Sequence, residues 1–276
     1  MANITFSYNK SMIKKERADR LILSRGLAES REKAQALVMA GLVTAGGRQV
    51  EKPGELLDVE TPIAVAEGNP YVSRGGLKLA EALEDFAVPV TGKVAADLGA
   101  STGGFTDCLL QKGARRVYAV DVTTGQLDWK LRHDPRVVLL EKNARALEAA
   151  DFSERPELVT MDLSFISALK VLPAVRRFLA GGDVLCLLKP QFEVGKGQVG
   201  KRGIVRDPAQ HEAVLRRLLE GGLELGFFLR GLHACRVRGQ RGNREFFVHW
   251  TLTGSSLSAE EIRETVREVV YGEERD

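Results

Sequence analysis

Cysteine is scarce in this chain. Three occur in 276 residues, Cys108, Cys186 and Cys235, far apart and with no CxxC pair. That excludes a disulfide framework and leaves small buried thiols in a reducing compartment as the simplest account. The four histidines lack metal-ligand spacing, so no metal site is expected. No apolar run reaches the roughly 18–20 residues of a membrane span. The first residues, with Asn3, Ser7, Asn9 and Lys10, lack the apolar core of a signal peptide. The expectation is a soluble cytoplasmic protein without a membrane partner. Internal repeats and low-complexity tracts are absent too. A strong charge of one sign is also missing: 40 basic and 37 acidic residues give +3.

What is present is charge distributed in blocks. Lys10–Val50 carries a net +5, Arg230–Arg244 another +5 with five arginines and no acid, and Ser255–Asp276 a net −4. Separated basic blocks fit a polyanionic partner, although any one of them could be an ordinary solvated face. With 44% apolar residues the chain can bury a core without staples, and its length allows one or two domains.

Residues 14–40 have helical spacing, broken where Ser30 can cap a second helix that Gly41 stops. A hairpin follows, Leu42–Thr44 and Gln49–Val50 around Gly46-Gly47. Short extended pieces then run to Val65. Residues 1–65 thus form one small module, 66–74 a linker, and 75–276 a second domain. In that domain apolar runs at 93–98, 117–120, 137–140, 158–163 and 184–188 alternate with helical stretches at 104–112, 125–132, 167–179 and 208–221. Such alternation predicts an α/β fold, a mostly parallel sheet with helices on both faces. The runs 229–237 and 245–253 predict an antiparallel edge, for seven strands in all. An amphipathic helix from Ser258 buries Ile262, Val266 and Val269 or Val270.

The first strand runs into a glycine-rich turn whose candidate cofactor contacts are Asp97, Gly99, Ala100, Ser101, Thr102, Gly103, Gly104 and Phe105. Glycines at a strand-to-helix turn let backbone approach a ligand closely. The spacing is not GxGxxG and the turn lacks the P-loop lysine, which argues against a dinucleotide or a nucleoside triphosphate. Asp121 ends the second strand, where a carboxylate can accept both ribose hydroxyls, with Val122 beside it. Asn143 and Ala144 follow the third strand, placed to touch an adenine. Ligands of open α/β sheets bind at these carboxyl ends.

Four charged residues recur at element ends: Lys78, Asp162, Lys189 and Glu245. Lys189 follows the apolar run Val184–Leu188, and a lysine in such a place is costly unless paired. The chemistry that needs this set is methylation of a sugar hydroxyl, a poor nucleophile while protonated. A lysine held between carboxylates orients it and assists removal of its proton. Acting as a base at neutral pH requires burial or a second cation, which a second lysine supplies. A methyl sulfonium carries its own leaving group, so the reaction is an in-line displacement governed by positioning. The bland reading of any one of these residues is a structural ion pair.

Ser73–Leu83, DLGASTGGFTD at 97–107, the Asp162 strand end, LLKPQFE at 187–193 and Glu245 resemble the FtsJ-like ribose 2′-O-methyltransferases. The family's Lys-Asp-Lys-Glu tetrad maps onto Lys78, Asp162, Lys189 and Glu245. ADRLILSRGLAESREKAQALVMAGLV at 18–43 resembles the S4 RNA-binding domain. Together they resemble the TlyA (hemolysin A) family over nearly the whole chain. The resemblance implies a Rossmann-like class I methyltransferase fold behind a small α+β S4 domain. It also implies S-adenosylmethionine as cofactor, with Asp162 also contacting it, and 2′-O-methylation of cytidine in ribosomal RNA, free or in a ribosomal subunit. Candidate RNA contacts are Arg17, Arg20, Arg31 and Lys33 in the S4-like module and Arg236, Arg238, Arg241 and Arg244 ahead of Glu245. The loop 195–206, with Lys196, Lys201, Arg202 and Arg206, reads as a lid over substrate, its bland alternative being a floppy surface loop. Competing functions are a catalytically dead RNA-binding protein and a membrane-lytic hemolysin.

Overall fold

The computed structural model describes residues 14–39, 42–65, 69–179, 181–195, 199–200, 203–237, 239, 242–255 and 257–272. The chain divides into two compact units, Met1–Pro70 and Tyr71–Asp276.

The first unit runs β1 (Lys15–Arg17), α1 (Ala18–Ser24), α2 (Arg31–Met39), β2 (Val43–Ala45), β3 (Arg48–Gln49), β4 (Leu56–Asp58) and β5 (Ile63–Val65). Both helices bury the apolar stripe their spacing predicts: Ala18, Leu21, Ile22, Ala34 and Val38 pack with Val43, Val50 and Leu57. Ser30 accepts the Lys33 N–H at 3.1 Å, as a cap should. Gly41 lies outside the described residues. Gly46 and Gly47 have φ of +57° and +78°, the left-handed pair that a tight hairpin requires. One expectation fails here. Residues 15–17 are not helical but pair antiparallel with β4, Arg17 opposite Leu56. Lys-Glu-Arg offers no apolar residue for a helical stripe, whereas an extended Arg17 turns its guanidinium onto Asp19.

The second unit runs α3 (Arg74–Asp85), β6 (Val94–Leu98), α4 (Gly104–Gln111), β7 (Arg116–Asp121), α5 (Trp129–Arg132), β8 (Val137–Glu141), β9 (Leu158–Met161), α6 (Leu172–Phe178), β10 (Asp183–Leu188), α7 (Pro190–Glu193), α8 (Pro208–Glu224), β11 (Phe228–Ala234), β12 (Phe246–Thr251) and α9 (Ala259–Tyr271). Its seven strands are ordered β11-β12-β10-β9-β6-β7-β8. The β10-β9-β6-β7-β8 neighbours are parallel, and β12 is antiparallel to both β10 and β11. Both faces are covered, so the central strands are apolar throughout. Alternate residues sort by face. Val184, Cys186, Leu188, Phe246, Val248 and Trp250 join the core with α6, α8 and α9, while Leu185, Leu187 and Phe247 join the core with α3 and α4. The three cysteines are free and buried.

Three local expectations need correction. Residues 71–74, expected in the linker, belong to this unit, where the Val72 N–H donates to Asp107 at 2.9 Å. Helix α3 was not foreseen, because Arg-Gly-Gly is a poor helix opening. The helix expected over 125–132 is a single turn, since Asp128 caps it at the Lys130 N–H. No helix among the described residues is long and apolar enough to cross a membrane.

Candidate active site

The carboxyl ends of β6, β7, β9 and β10 share one edge of the sheet, and β12, running the other way, begins there. The register pairs Leu188 with Phe246. Lys189 and Glu245, 56 positions apart in sequence, are therefore neighbours across a ladder. Lys78 arrives from the first turns of α3. That helix comes close because Gly104 has no side chain: a Cβ there would lie 2.2 Å from Ser73 Oγ and 3.0 Å from the Gly76 nitrogen.

Two ion pairs result. Lys78 Nζ donates to Glu245 Oε2 at 2.5 Å, with the side chains 11% and 3% exposed. Lys189 Nζ lies 2.6 Å from Asp162 Oδ1 and donates to Ser164 Oγ at 3.2 Å. All four residues line one cavity of about 420 Å³. Gly99, Ala100, Ser101, Thr102, Gly104 and Phe105 line it as well, so the glycine turn faces the tetrad.

A second cavity of about 460 Å³ adjoins the first, sharing Gly99, Ser101, Asp162, Ser164 and Phe165 with it. Asp121, Val122, Asn143 and Ala144 line it, as does Gln126. Its turn is held tightly. Gly99 has φ +89°, and a Cβ there would sit 2.6 Å from the Asp162 carbonyl oxygen. The Gly99 and Ala100 N–H groups both donate to the Val120 carbonyl, and the Ser101 N–H donates to Asp121 Oδ2 at 2.9 Å. Asp121 thus braces the loop and keeps acceptor capacity toward the cavity.

Asp97 and Gly103 are not among the residues lining either cavity. Asp97 is fully buried behind the loop and accepts from Thr106 Oγ1 at 2.7 Å and Thr160 Oγ1 at 3.0 Å. Burial pushes its carboxyl up to about 7, against the two hydroxyl bonds. A Cβ on Gly103 would meet Leu131 and Leu127 rather than a ligand. Both residues shape the loop from behind.

The candidate RNA contacts divide. In the first unit Asp19 is fully buried and accepts from Arg17 through two nitrogens at 3.0 Å, from Arg31 at 3.0 Å and from Gln35 at 2.9 Å. The bond to Arg17 leads in holding its carboxyl below the usual carboxylate range. Arg17 and Arg31 are therefore tied to a core acid, whereas Arg20 and Lys33 are exposed. Arg236 donates from one nitrogen, Nη2, to both carboxylate oxygens of Asp85, in a cluster that includes Glu81 and His233. Arg244 donates to the carbonyls of Val269 and Val270, capping the end of α9. Arg238 and Arg241 lie outside the described residues, as do Lys196, Lys201 and Arg202.

Sequence reasoning missed residues that the cavities reveal. Arg74, Gln191 and Phe192 line the first, Lys142 and Ile166 the second, and Ser164 and Phe165 both. Phe165 is 89% exposed at φ +64°, a strained backbone for an aromatic residue, with its ring 4.7 Å from that of Phe192. An exposed aromatic three residues past a strand-end carboxylate was the available signal.

Paired acceptors at Asp121, an amide at Asn143, apolar walls at Val122 and Ile166, and continuity with the tetrad cavity suit a nucleoside carrying an amino-acid arm. The loop has no lysine to hold a polyphosphate. The comparisons agree. Residues 71–252 match the family described as FtsJ-like methyltransferase, and residues 16–63 match the S4 domain. YqxC of Bacillus subtilis is 49% identical over 256 residues, covering 91% of each chain. The 16S/23S rRNA (cytidine-2′-O)-methyltransferase TlyA of Mycobacterium tuberculosis is 43% identical, covering 94% of this chain and 98% of its own. A solved structure from Streptococcus thermophilus that carries the hemolysin name superposes with a TM-score of 0.71 at 44% identity, covering 94% of this chain and 96% of that one. The chain is thus a member of the TlyA (hemolysin A) family, an S4 domain joined to an FtsJ-like methyltransferase that takes its methyl group from S-adenosylmethionine.

Proposed function

We propose that this protein methylates the 2′-hydroxyl of a cytidine ribose in ribosomal RNA, in the cytoplasm. The observation that carries the reading is the pairing of Lys78 with Glu245 and Lys189 with Asp162 in one cavity that opens into the cofactor cavity. The named activity of the Mycobacterium tuberculosis relative supports the choice of cytidine and of ribosomal RNA.

S-adenosylmethionine supplies an electrophilic methyl group on a sulfonium. The chain's own residues supply position and proton handling. Asp121 accepts the cofactor ribose hydroxyls and Asn143 meets the adenine edge. Lys189, fixed by Asp162 and Ser164, donates to the substrate 2′-oxygen, and the Asp162 carboxylate accepts the hydroxyl proton as that oxygen attacks. Lys78, fixed by Glu245, adds a second ammonium that stabilises the developing alkoxide. Phe165 presents a ring face against which a base drawn out of its helix can stack. Arg20 and Lys33 hold RNA phosphates in the S4 unit.

The test is mass spectrometry of ribosomal RNA from cells with and without the protein, followed by transfer of labelled methyl to the unmodified RNA by the purified chain. A 2′-O-methylcytidine that disappears with the protein and is restored in vitro supports the reading. An unchanged modification map overturns it.

A further inference from the structure

A third cavity, of about 600 Å³, lies on the far side of the Phe165–Phe192 pair, which also lines the tetrad cavity. Its wall carries three cations from three separate elements: Arg145 after β8, Lys170 before α6 and Arg217 on α8. Its acid, Glu193, is spent internally. That side chain is 3% exposed, accepts the Ala168 N–H at 2.8 Å and faces Arg217 at 3.6 Å. Arg217 also donates to the Glu193 carbonyl. Arg145 and Lys170 are exposed and make no salt bridge among the described residues; Lys170 also acts at longer range on the buried Glu193 carboxyl, and the three cations outnumber that one acid at the edge of an aromatic step.

We propose that this groove binds the phosphodiester backbone of the nucleotides next to the methylated residue. The proposal rests on the RNA-methylating function argued above. A strand whose target base leans on Phe165 continues past Phe192, and the next concave surface it meets is cationic. Phosphates there are neutralised by Arg145 and Lys170, with Arg217 held by Glu193 as the fixed floor of the groove. The contacts are to backbone, so they set register and affinity rather than base choice.

The experiment compares the full chain with its Arg145→Ala/Lys170→Ala variant, leaving Arg217 in place. Methyl transfer is measured on ribosomal subunits from cells lacking the protein, and binding on protein-free ribosomal RNA at several salt concentrations. The expected result is a KM for the subunit raised about tenfold, with kcat and cofactor affinity unchanged. The slope of log affinity against log salt should become shallower by about two, one per lost phosphate contact. A merely structural role would not move that slope. Equal affinity and equal slope for variant and parent overturn the groove. Weaker subunit binding with unchanged affinity for protein-free RNA assigns the groove to an acidic protein segment and also overturns it. Failure of the parent chain to methylate any RNA would refute the function beneath the proposal, while the binding arm would still decide the groove.

Discussion

The two lysines of the cavity keep unlike company. Lys78 and Glu245 form an almost closed pair, 11% and 3% exposed, beneath α3 and the start of β12. Lys189 is buried to a similar degree, but its partner Asp162 is 27% exposed and lines both cavities. Charges in low dielectric interact strongly and leave a large penalty when one partner is removed. A pair open to solvent is screened and replaceable. On the mechanism proposed above, the first pair therefore carries structural weight along with its chemical role, and the second acts chiefly in the chemistry. The S4 unit repeats the contrast. Arg17 and Arg31 are tied to buried Asp19, while Arg20 and Lys33 face outward.

The sharpest way to break this contrast is at Lys189. Lys189→Ala should lower methyl transfer by about 10³-fold or more, within the usual reach of acid–base and electrostatic groups. Its melting temperature should stay within a few degrees of the parent; calorimetry beside a labelled-methyl assay reads both. Glu245→Ala should instead strand the Lys78 ammonium and cost about 3–5 kcal/mol of stability. Denaturant unfolding should show that loss, with Glu245→Gln intermediate. If the two variants unfold alike, the distinction between the pairs is wrong.

Asp97 extends the comparison behind the loop. Its folded-state pKa lies above the ordinary value of 3.8, so the native state binds the proton more tightly than the unfolded chain does. Its contribution is intact below about pH 4 and is lost as pH rises toward about 7, a penalty of about 4 kcal/mol at most. Asp97→Asn should gain stability on the parent progressively across that window, and parallel pH–stability curves would contradict the assignment. The smallest effect belongs to the S4 surface. Arg20→Glu with Lys33→Glu should weaken RNA binding about tenfold in a gel-shift titration and leave cofactor affinity untouched. Arg31→Glu should destabilise the unit.

The sheet was legible because strands buried on both faces read as apolar runs, and Val184–Leu188 could hardly be anything else. The tetrad was legible because a charge directly after such a run, as at Asp162 and Lys189, needs a reason. Helix α3 was hidden by Gly75 and Gly76, which are there so that the helix can approach Tyr71 and the glycine turn. Asp97 was misread because a strand-end acid looks the same in sequence whether it faces the ligand or the core. The internal partners of Arg236 and Arg244, Asp85 and the end of α9, were not legible because they are remote in sequence. The basic groove was invisible for the same reason, since Arg145, Lys170 and Arg217 meet only in three dimensions.

The most direct test of the account is single-turnover methyl transfer to unmodified ribosomal RNA, with the site of the new methyl group mapped, for the parent chain and for Lys189→Ala. The account predicts one 2′-O-methylated cytidine from the parent and almost none from the variant, with both binding S-adenosylmethionine equally well. Equal rates from the two proteins, or a methyl group on a base instead of the ribose, would contradict it.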